Sequence, residues 1–331
     1  MWAQYGFFFL ETVTIVAAIL VVFLGLLLLR AAAAKAKKQS GKIQLESLNT
    51  QYEKRWLQLV DEAMEKKEAK PLLKAHKKAQ KQLTKADVRP RLFVLEFKGD
   101  IQASAATSLR EEVTAILQIA GPQDRVLVRL ESAGGVVHGY GLAASQLERL
   151  KTAGIHLIVS IDKVAASGGY MMACVADEII AAPFAIIGSI GVLAQIPNVH
   201  RLLKEKGVDF EQITAGEYKR TLTVFGKNTA EGRKKLTQEI QETHGLFKDM
   251  IHQYRPDINM DEVATGEHWF AKKAITMHLI DHISTSDDFL LEKVGSQQWR
   301  IYSLTFHVPR SLGSKLRHQA HLAITHLMGR V

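Results

Sequence analysis

Short apolar runs alternate with amphipathic stretches along the middle of the chain. Five runs are short and rich in β-branched residues: 92–97, 126–130, 156–161, 177–182 and 208–214. Helical periodicity marks the stretches Ala105–Ile119, Tyr140–Lys151, Val199–Lys206, Thr229–Tyr254 and Phe270–Leu279. This alternation predicts an α/β fold with a parallel sheet. The runs are almost continuously apolar, as expected for strands that helices cover on both faces.

A longer apolar stretch near the N-terminus predicts a membrane anchor. Residues 12–29 carry no charge, and with Phe7–Leu10 they approach the length of about 20 apolar residues that spans a bilayer. A cleaved signal peptide would need a basic segment before the apolar one, yet Arg30 is the first basic residue. We therefore expect an uncleaved, single-pass transmembrane helix within residues 1–30.

The segments on either side of the α/β region differ from it in composition. Residues 43–89 are rich in Lys, Glu, Gln, Leu and Ala, which predicts a helical stalk that breaks near Pro71. Basic residues and leucines at 311–331 fit either an amphipathic helix on the membrane or a poorly ordered terminus. The predicted domains are an anchor (1–30), a basic stalk (31–90), an α/β domain (91–290) and a C-terminal extension (291–331).

The net charge of +9 is concentrated in one segment. Residues 30–91 contain 17 Lys and Arg against 7 Asp and Glu, whereas residues 92–331 are neutral. The α/β domain therefore gives no sign of binding nucleic acid. A basic segment directly after an apolar span instead favours contact with the anionic lipid of a bilayer. By the positive-inside rule the same charges place the rest of the chain in the cytoplasm.

Two glycine-containing turns follow predicted strands, where α/β folds place their sites. Gly134 and Gly135 follow the strand at 126–130, and their N–H groups could hold an oxyanion, although an ordinary strand-to-helix turn would look the same. Ser167 follows the strand at 156–161 and precedes Gly168, Gly169 and an apolar helical run. A helix N-terminus favours negative charge at such a serine, but a simple N-cap serine is the competing interpretation.

A third turn carries a lysine, Lys219, after the predicted strand at 208–214. A lysine acts as a general base only when burial or neighbouring charges lower its pKa well below about 10.4. Apolar neighbours could provide that environment, although a surface lysine is the simpler interpretation. Lys163, His138 and His200 are the alternative bases.

Other kinds of site have no support in the sequence. The chain contains no metal-ligand spacing such as HExxH or CxxC, and neither glycine-rich phosphate-binding motif, so we expect no metal and no cofactor. The single cysteine, Cys174, lies in an apolar run and is expected to be buried and inert.

Taken together, four motifs resemble the S49 family of serine peptidases, the signal peptide peptidase A type, and most closely its short, SohB-like inner-membrane branch. They are ESAGG (131–135), VAASGGYMMA (164–173), IIGSIGV (186–192) and GEYKR (216–220). The resemblance covers residues 92–290 and implies the ClpP/crotonase fold with repeated ββα units. It departs from the family pattern at Ala133, where an SPGG turn has proline.

The resemblance also implies a role for each matching residue. Ser167 would be the nucleophile and Lys219 the general base of a Ser-Lys dyad. The N–H groups of Gly168 and of Gly134 or Gly135 would form the oxyanion hole, and Ser189 would orient the base. The family assembles into rings, so a homo-oligomer is expected. Its best-known members place the catalytic domain outside the cytoplasm, which opposes the charge-based orientation and leaves the side open.

The sequence therefore predicts a serine endopeptidase, anchored in the inner membrane, that cleaves peptides or proteins. An apolar groove beside a strand edge would suit peptides derived from membrane proteins. Two other classes stay open: a non-catalytic membrane scaffold on the same fold, and a crotonase-type acyl-CoA enzyme. Neither needs the pair of Ser167 and Lys219, so that pair separates them from a peptidase.

Overall fold

The computed structural model describes residue 16 and residues 41–83 and 89–307. Leu45–Thr305 form one compact unit, which carries every residue of the candidate site, while residues 41–44 and 306–307 belong to a second unit. The predicted membrane span, apart from Val16, and the predicted C-terminal helix lie outside the described residues. Within the described ranges, no helix is long and apolar enough to cross a membrane.

Within residues 41–83 and 89–307, ten strands form two sheets. The strands are β1 (Lys42–Ser47), β2 (Arg91–Lys98), β3 (Arg125–Glu131), β4 (His156–Ile161), β5 (Val164–Ala166), β6 (Glu178–Ala181), β7 (Ile186–Gly188), β8 (His268–Phe270), β9 (His282–Ile283) and β10 (Arg300–His307). The large sheet has the order β1-β10-β2-β3-β4-β6-β9, and its pairs from β10 to β9 are parallel. The small sheet has the order β5-β7-β8, in which β8 is antiparallel to β7.

The helices connect and cover these strands. They are α1 (Leu48–Ala63), α2 (Lys66–Leu83), α3 (Ala106–Leu117), α4 (Val137–Thr152), α5 (Gly168–Ala173), α6 (His200–Glu205), α7 (Ala230–Tyr254), α8 (Met260–Val263), α9 (Ala271–Ala274) and α10 (Ser286–Gly295), with a 3-10 helix at Ile275–Met277. The predicted mixed α/β fold is thereby confirmed.

The core lies on both faces of the large sheet, as the continuous apolar strands predicted. On one face, alternate strand residues such as Leu92, Leu127 and Ile158 pack with Phe289 and Leu290 of α10. Residues of the opposite pleat of β2 and β3 are also buried, on the side that α3 and α4 cover. Burial on both faces explains why these strands show no alternation of polar and apolar residues.

Three details of the sequence prediction are wrong. Residues 208–214 form no strand, because Val208, Phe210 and Ile213 are exposed and no neighbouring strand pairs with this stretch. The predicted stalk begins as strand β1 rather than as a helix. It breaks at Met64, which has an extended backbone, whereas Pro71 lies inside α2.

The C-terminal extension contributes to the main sheet. β10 pairs in parallel with β2, with Ile301 opposite Leu92, and Ile301 is fully buried in the core. The sheet therefore continues beyond the predicted domain boundary at residue 290.

Candidate active site

Ser167 lies at the turn between β5 and α5. The turn and the helix were predicted, but the strand that leads into them is β5 of the small sheet rather than the predicted run at 156–161, which forms β4. Its backbone has φ 52° and ψ −120°, a conformation that a residue with a Cβ rarely adopts and that stores strain. The turn is held at the neighbouring strand end, where the Ser167 N–H donates to the Gly188 carbonyl at 2.8 Å. Because of this fixed and strained backbone, the Ser167 side chain lies at the end of β5 and does not pack against α5 as a helix cap.

The Ser167 hydroxyl does not cap the helix it precedes. An N-cap serine accepts a hydrogen bond from an N–H in the first helical turn, and the Ser167 side chain makes no such bond. The residue is also partly exposed. The competing interpretation as an ordinary N-cap is therefore wrong, and the hydroxyl is available for chemistry.

The Gly134–Gly135 turn closes directly on Ser167. A Cβ added to Gly134, which has φ 89°, would lie 2.8 Å from the Ser167 Cβ and 2.8 Å from the Gly168 nitrogen. A Cβ on Gly135 would overlap the Ile101 backbone. These two positions require glycine because the turn is squeezed between the serine and a neighbouring loop.

The N–H groups around Ser167 differ in their partners. The Gly134 N–H donates to the Ser132 hydroxyl oxygen at 3.0 Å. The N–H groups of Gly135 and Gly168 find no acceptor within the described residues. For Gly168 this follows from its place in the first turn of α5, where helix N–H groups have no intrahelical partner.

Ser132 and Tyr140 form a buried polar contact beneath this turn that the sequence analysis did not identify. Their hydroxyl oxygens lie 2.5 Å apart, and the Tyr140 hydroxyl donates to the Asp100 carbonyl at 2.9 Å. Burial raises the pKa of Tyr140, which keeps its hydroxyl protonated and able to donate.

Ser189 directly follows β7. Because β7 runs parallel to β5, Ser189 lies at the same end of the small sheet as Ser167. Its N–H donates to the Glu267 carbonyl at 2.6 Å, and its φ of 52° is another strained value for a residue with a side chain. Because the preceding residue, Gly188, accepts the Ser167 N–H, the two serines lie on adjacent strand ends.

Lys219 is not brought to Ser167 within a single chain. It lies in an exposed segment, residues 207–228, that has neither helix nor strand. It lines a cavity of about 810 Å³ formed by neighbours in the same region, such as Phe210, Ile213 and Phe225. Neither Ser167 nor the Gly134–Gly135 turn borders that cavity.

The alternative bases are occupied elsewhere. The Lys163 side chain is 71% exposed and pairs with Glu131, with 3.0 Å between Nζ and Oε1. His138 is exposed at the start of α4, and His200 Nδ1 lies 3.2 Å from the Phe225 carbonyl oxygen. Among the described residues, no hydrogen bond joins Lys163, His138 or His200 to Ser167.

Cys174 follows α5 and is fully buried, as predicted. Burial raises the pKa of its thiol to about 12, so the reactive thiolate is suppressed. Among residues 41–83 and 89–307, no group of three or more His, Cys, Asp or Glu is arranged to hold a metal ion.

Comparison with known proteins identifies the family. Residues 1–147 match the family description "Peptidase family S49 N-terminal", and residues 149–298 match "Peptidase family S49". A relative from Haemophilus influenzae named "Probable protease SohB" is 49% identical over 329 residues, which cover 96% of this chain and 92% of the relative. The chain belongs to peptidase family S49. The predicted class, a serine peptidase, is thereby confirmed.

Other S49 relatives and one solved structure extend the comparison. "Probable protease SohB" from Buchnera aphidicola subsp. Schlechtendalia chinensis is 49% identical over 303 residues, covering 88% of this S49 chain and 98% of that relative. A solved structure of a mutant "1510-N membrane-bound stomatin-specific protease", in complex with a substrate peptide, has 16% identity and a TM-score of 0.41. It covers 62% of this chain and 80% of that chain.

Proposed function

We propose that this chain is a membrane-anchored serine endopeptidase with Ser167 as nucleophile and Lys219 as general base. The observation that carries the proposal is the strained, uncapped Ser167 at the end of β5, facing the Gly134–Gly135 turn. A structural serine has no need of such a backbone, whereas a nucleophile gains from a fixed, accessible hydroxyl. The proposed fold is the ClpP/crotonase type.

The oxyanion hole of this proposal uses the N–H groups of Gly168 and Gly135. Both lack an acceptor within the described residues, whereas the Gly134 N–H already donates to Ser132. One such donor is typically worth about 2.7–4 kcal/mol in the transition state. Of the two glycines that the sequence left open, Gly135 is therefore our choice as donor.

The reaction then follows the usual acyl-transfer course. Neutral Lys219 takes the proton from the Ser167 hydroxyl as its oxygen attacks a peptide carbonyl, and the resulting ammonium protonates the leaving amine. Water activated by the same lysine hydrolyses the acyl-enzyme and restores Ser167. Ser189, one residue beyond the strand end that holds Ser167, would hydrogen-bond the Lys219 ammonium between the two steps.

The base must approach Ser167 through a contact that the single chain does not make. The segment around Lys219 exposes large apolar side chains, with Ile213 95% exposed and Tyr218 52% exposed. Exposed apolar side chains gathered in one segment are typical of an interaction surface. We propose that this segment packs against a second copy of the chain, which would also give Lys219 the dry surroundings that a lysine base requires.

A hydrolysis assay tests the catalytic assignment. Purified full-length protein is incubated with casein or a peptide library, alongside the variants Ser167→Ala and Lys219→Ala and the control Lys163→Ala. We expect both dyad variants to lose hydrolysis while the control retains it, since Lys163 pairs with Glu131 on the surface. Hydrolysis that persists in Lys219→Ala would refute the dyad, and a wild type inactive on every substrate would favour a scaffold role.

A mixing experiment tests whether the dyad forms between chains. Ser167→Ala and Lys219→Ala proteins are unfolded, mixed and refolded together, and the hydrolysis rate is compared with each protein refolded alone. Recovered activity shows that Lys219 of one copy serves Ser167 of another. No recovery from an oligomer that contains both variants shows that the dyad forms within one chain.

The membrane anchor is proposed from the apolar residues 12–29 and the basic segment after them. Resistance to alkaline extraction from membranes, lost when residues 1–30 are deleted, would support it. Phosphatase and fluorescent-protein fusions at the C-terminus would decide on which side the catalytic domain lies. For substrates we propose peptides or proteins, as the names of the relatives say for them.

A further inference from the structure

Ser132 and Tyr140 are buried directly beneath the proposed oxyanion hole. Ser132 is 2% exposed and Tyr140 is 0% exposed, and no step of the proposed chemistry uses either hydroxyl. Burying two hydroxyl groups is costly unless each one is fully hydrogen-bonded. The groups to which these hydroxyls bond therefore indicate which part of the structure the pair holds in place.

The three hydrogen bonds of this pair run in one direction. Tyr140 has a single proton, which it donates to the Asp100 carbonyl at 2.9 Å. The 2.5 Å contact must then be a bond from the Ser132 hydroxyl to the Tyr140 oxygen. This leaves the Ser132 oxygen as the acceptor for the Gly134 N–H at 3.0 Å. Each of the three protons in this series of hydrogen bonds therefore has an acceptor.

Ser132 also joins this turn to the nucleophile strand. Its N–H donates to the Val164 carbonyl at 2.9 Å, and its carbonyl accepts from the Ala166 N–H at 3.0 Å. The backbone of Ser132 is thus fixed to β5, the strand that ends at Ser167, while its side chain holds Gly134. One residue sets the spacing between the two halves of the proposed oxyanion hole.

The glycines of the nucleophile turn make room for the pair. A Cβ added to Gly168 would overlap the Tyr140 ring, and a Cβ added to Gly169 would lie 2.5 Å from the Ser132 carbonyl oxygen. The first turn of α5 therefore packs directly on Ser132 and Tyr140. A displacement of either side chain would move the Gly168 N–H as well as the Gly134–Gly135 turn.

We propose that Ser132 and Tyr140 are a positioning pair for catalysis. By holding the Gly134 N–H, they fix the Gly134–Gly135 peptide so that the Gly135 N–H is the one left for the oxyanion. The pair touches no reacting atom in this scheme and acts through the turn. The inference rests on the proposed function, since it assigns the pair to that same oxyanion hole.

Steady-state kinetics test the catalytic half of the inference. Full-length Tyr140→Phe and Ser132→Ala are compared with wild type on a peptide that the wild type cleaves. We expect kcat to fall roughly 10- to 100-fold, less than the roughly 100- to 1000-fold typical of losing a donor outright, with KM within about twofold. The double variant should fall little further than the worse single variant, because both changes break one chain of bonds.

Tyr170→Phe is the matched control. Tyr170 is also wholly buried, lies in α5, and donates its hydroxyl proton to the Leu279 carbonyl at 2.9 Å. It has no bond to the Gly134–Gly135 turn among the described residues. Tyr170→Phe should therefore reduce thermal stability to a similar extent as Tyr140→Phe and leave kcat within about twofold of wild type.

Hydrogen exchange tests the structural half without relying on activity. The Gly134 amide, which donates to Ser132 in the wild type, should exchange at least about tenfold faster in Tyr140→Phe and Ser132→Ala, and at the wild-type rate in Tyr170→Phe. Unchanged exchange in both variants would overturn the inference whether or not the protein hydrolyses peptides. So would unchanged kcat, an equal loss of kcat in Tyr170→Phe, or a Tyr140→Phe protein that fails to fold. Wild-type activity that survives Ser167→Ala would instead refute the proposed function.

Discussion

Replacing Ser167 with glycine should stabilise the protein while it removes the proposed nucleophile. At φ 52° and ψ −120° the serine Cβ is held in a sparsely populated backbone region, which costs on the order of 1–3 kcal/mol. Glycine adopts this conformation without that strain but loses roughly 0.5–1 kcal/mol through the greater entropy of its unfolded state. No cap bond is lost, because the side chain makes none. The net expectation is a gain of about 1 kcal/mol.

The matched control is Ser167→Ala, which removes the same hydroxyl but keeps the Cβ and its strain. Urea unfolding of the two purified variants should therefore place Ser167→Gly about 1 kcal/mol above Ser167→Ala, with equal slopes. For a unit of this size the corresponding shift in melting temperature is roughly 2–4 °C. Neither variant should hydrolyse peptides.

A Ser167→Gly protein that is no more stable than Ser167→Ala would contradict this reasoning. The turn would then store no strain, and the backbone conformation could not be taken as a sign of a site held ready for chemistry. If both variants were equally more stable than the wild type, the cause would be different. Such a result would show that the hydroxyl itself, rather than the backbone, is the unfavourable feature.

Three further predictions follow from buried groups near the site. Gly168→Ala should lower the unfolding free energy by about 1–3 kcal/mol in urea titrations, since its methyl group would overlap the Tyr140 ring; an unchanged midpoint would contradict the packing. Burial raises the pKa of Asp281, but hydrogen bonds from Arg255 and an N–H outweigh it and hold that pKa below the ordinary 3.8. Asp281→Asn should therefore cost about 1–3 kcal/mol near pH 7, and the difference should shrink as the pH falls below about 4; a difference independent of pH would rule out the ion pair as its cause. Cys174 should resist iodoacetamide in the folded protein and react in urea, because burial raises its thiol pKa to about 12; rapid labelling of the native state, followed by mass spectrometry, would refute this.

The sequence predicts four neighbouring strands of the large sheet, β2, β3, β4 and β6, but not β1, β9 or β10, and it predicts a strand at 208–214 that does not form. β2, β3 and β4 lie within one residue of the predicted runs at 92–97, 126–130 and 156–161, because strands buried on both faces must be continuously apolar. The run at 208–214 alternates apolar residues with Asp209, Glu211 and Gln212, and no strand among the described residues pairs with it, so it does not form a strand. The composition of a segment shows whether it could form a buried strand. It does not show whether a neighbouring strand is present to pair with it.

The candidate site also has one part that the sequence predicts and one part that it does not. Ser167 and Gly168 follow one another in sequence, so a local motif predicts their turn and helix. The contact between Ser132 and Tyr140 has a weaker signal, a serine at the start of the turn and a tyrosine one helical turn into α4. Nothing in the sequence alone shows that these hydroxyl groups are buried and bonded, because the Asp100 carbonyl that completes the chain lies 40 residues away from Tyr140.

Neither the sequence nor the described part of one chain shows how Lys219 would reach Ser167. The nucleophile turn and the glycine turn assemble from one chain because β5, β7 and the Ser132 backbone bridge hold them to each other. Among the described residues, the segment around Lys219 has no comparable anchor near Ser167, and its apolar side chains are exposed. In the proposed dyad, the contact that buries those side chains would also bring Lys219 to Ser167. Assembly and catalysis would then depend on one surface, so a polar substitution at Ile213, which lines the same cavity as Lys219 but takes no part in the reaction, should weaken both together.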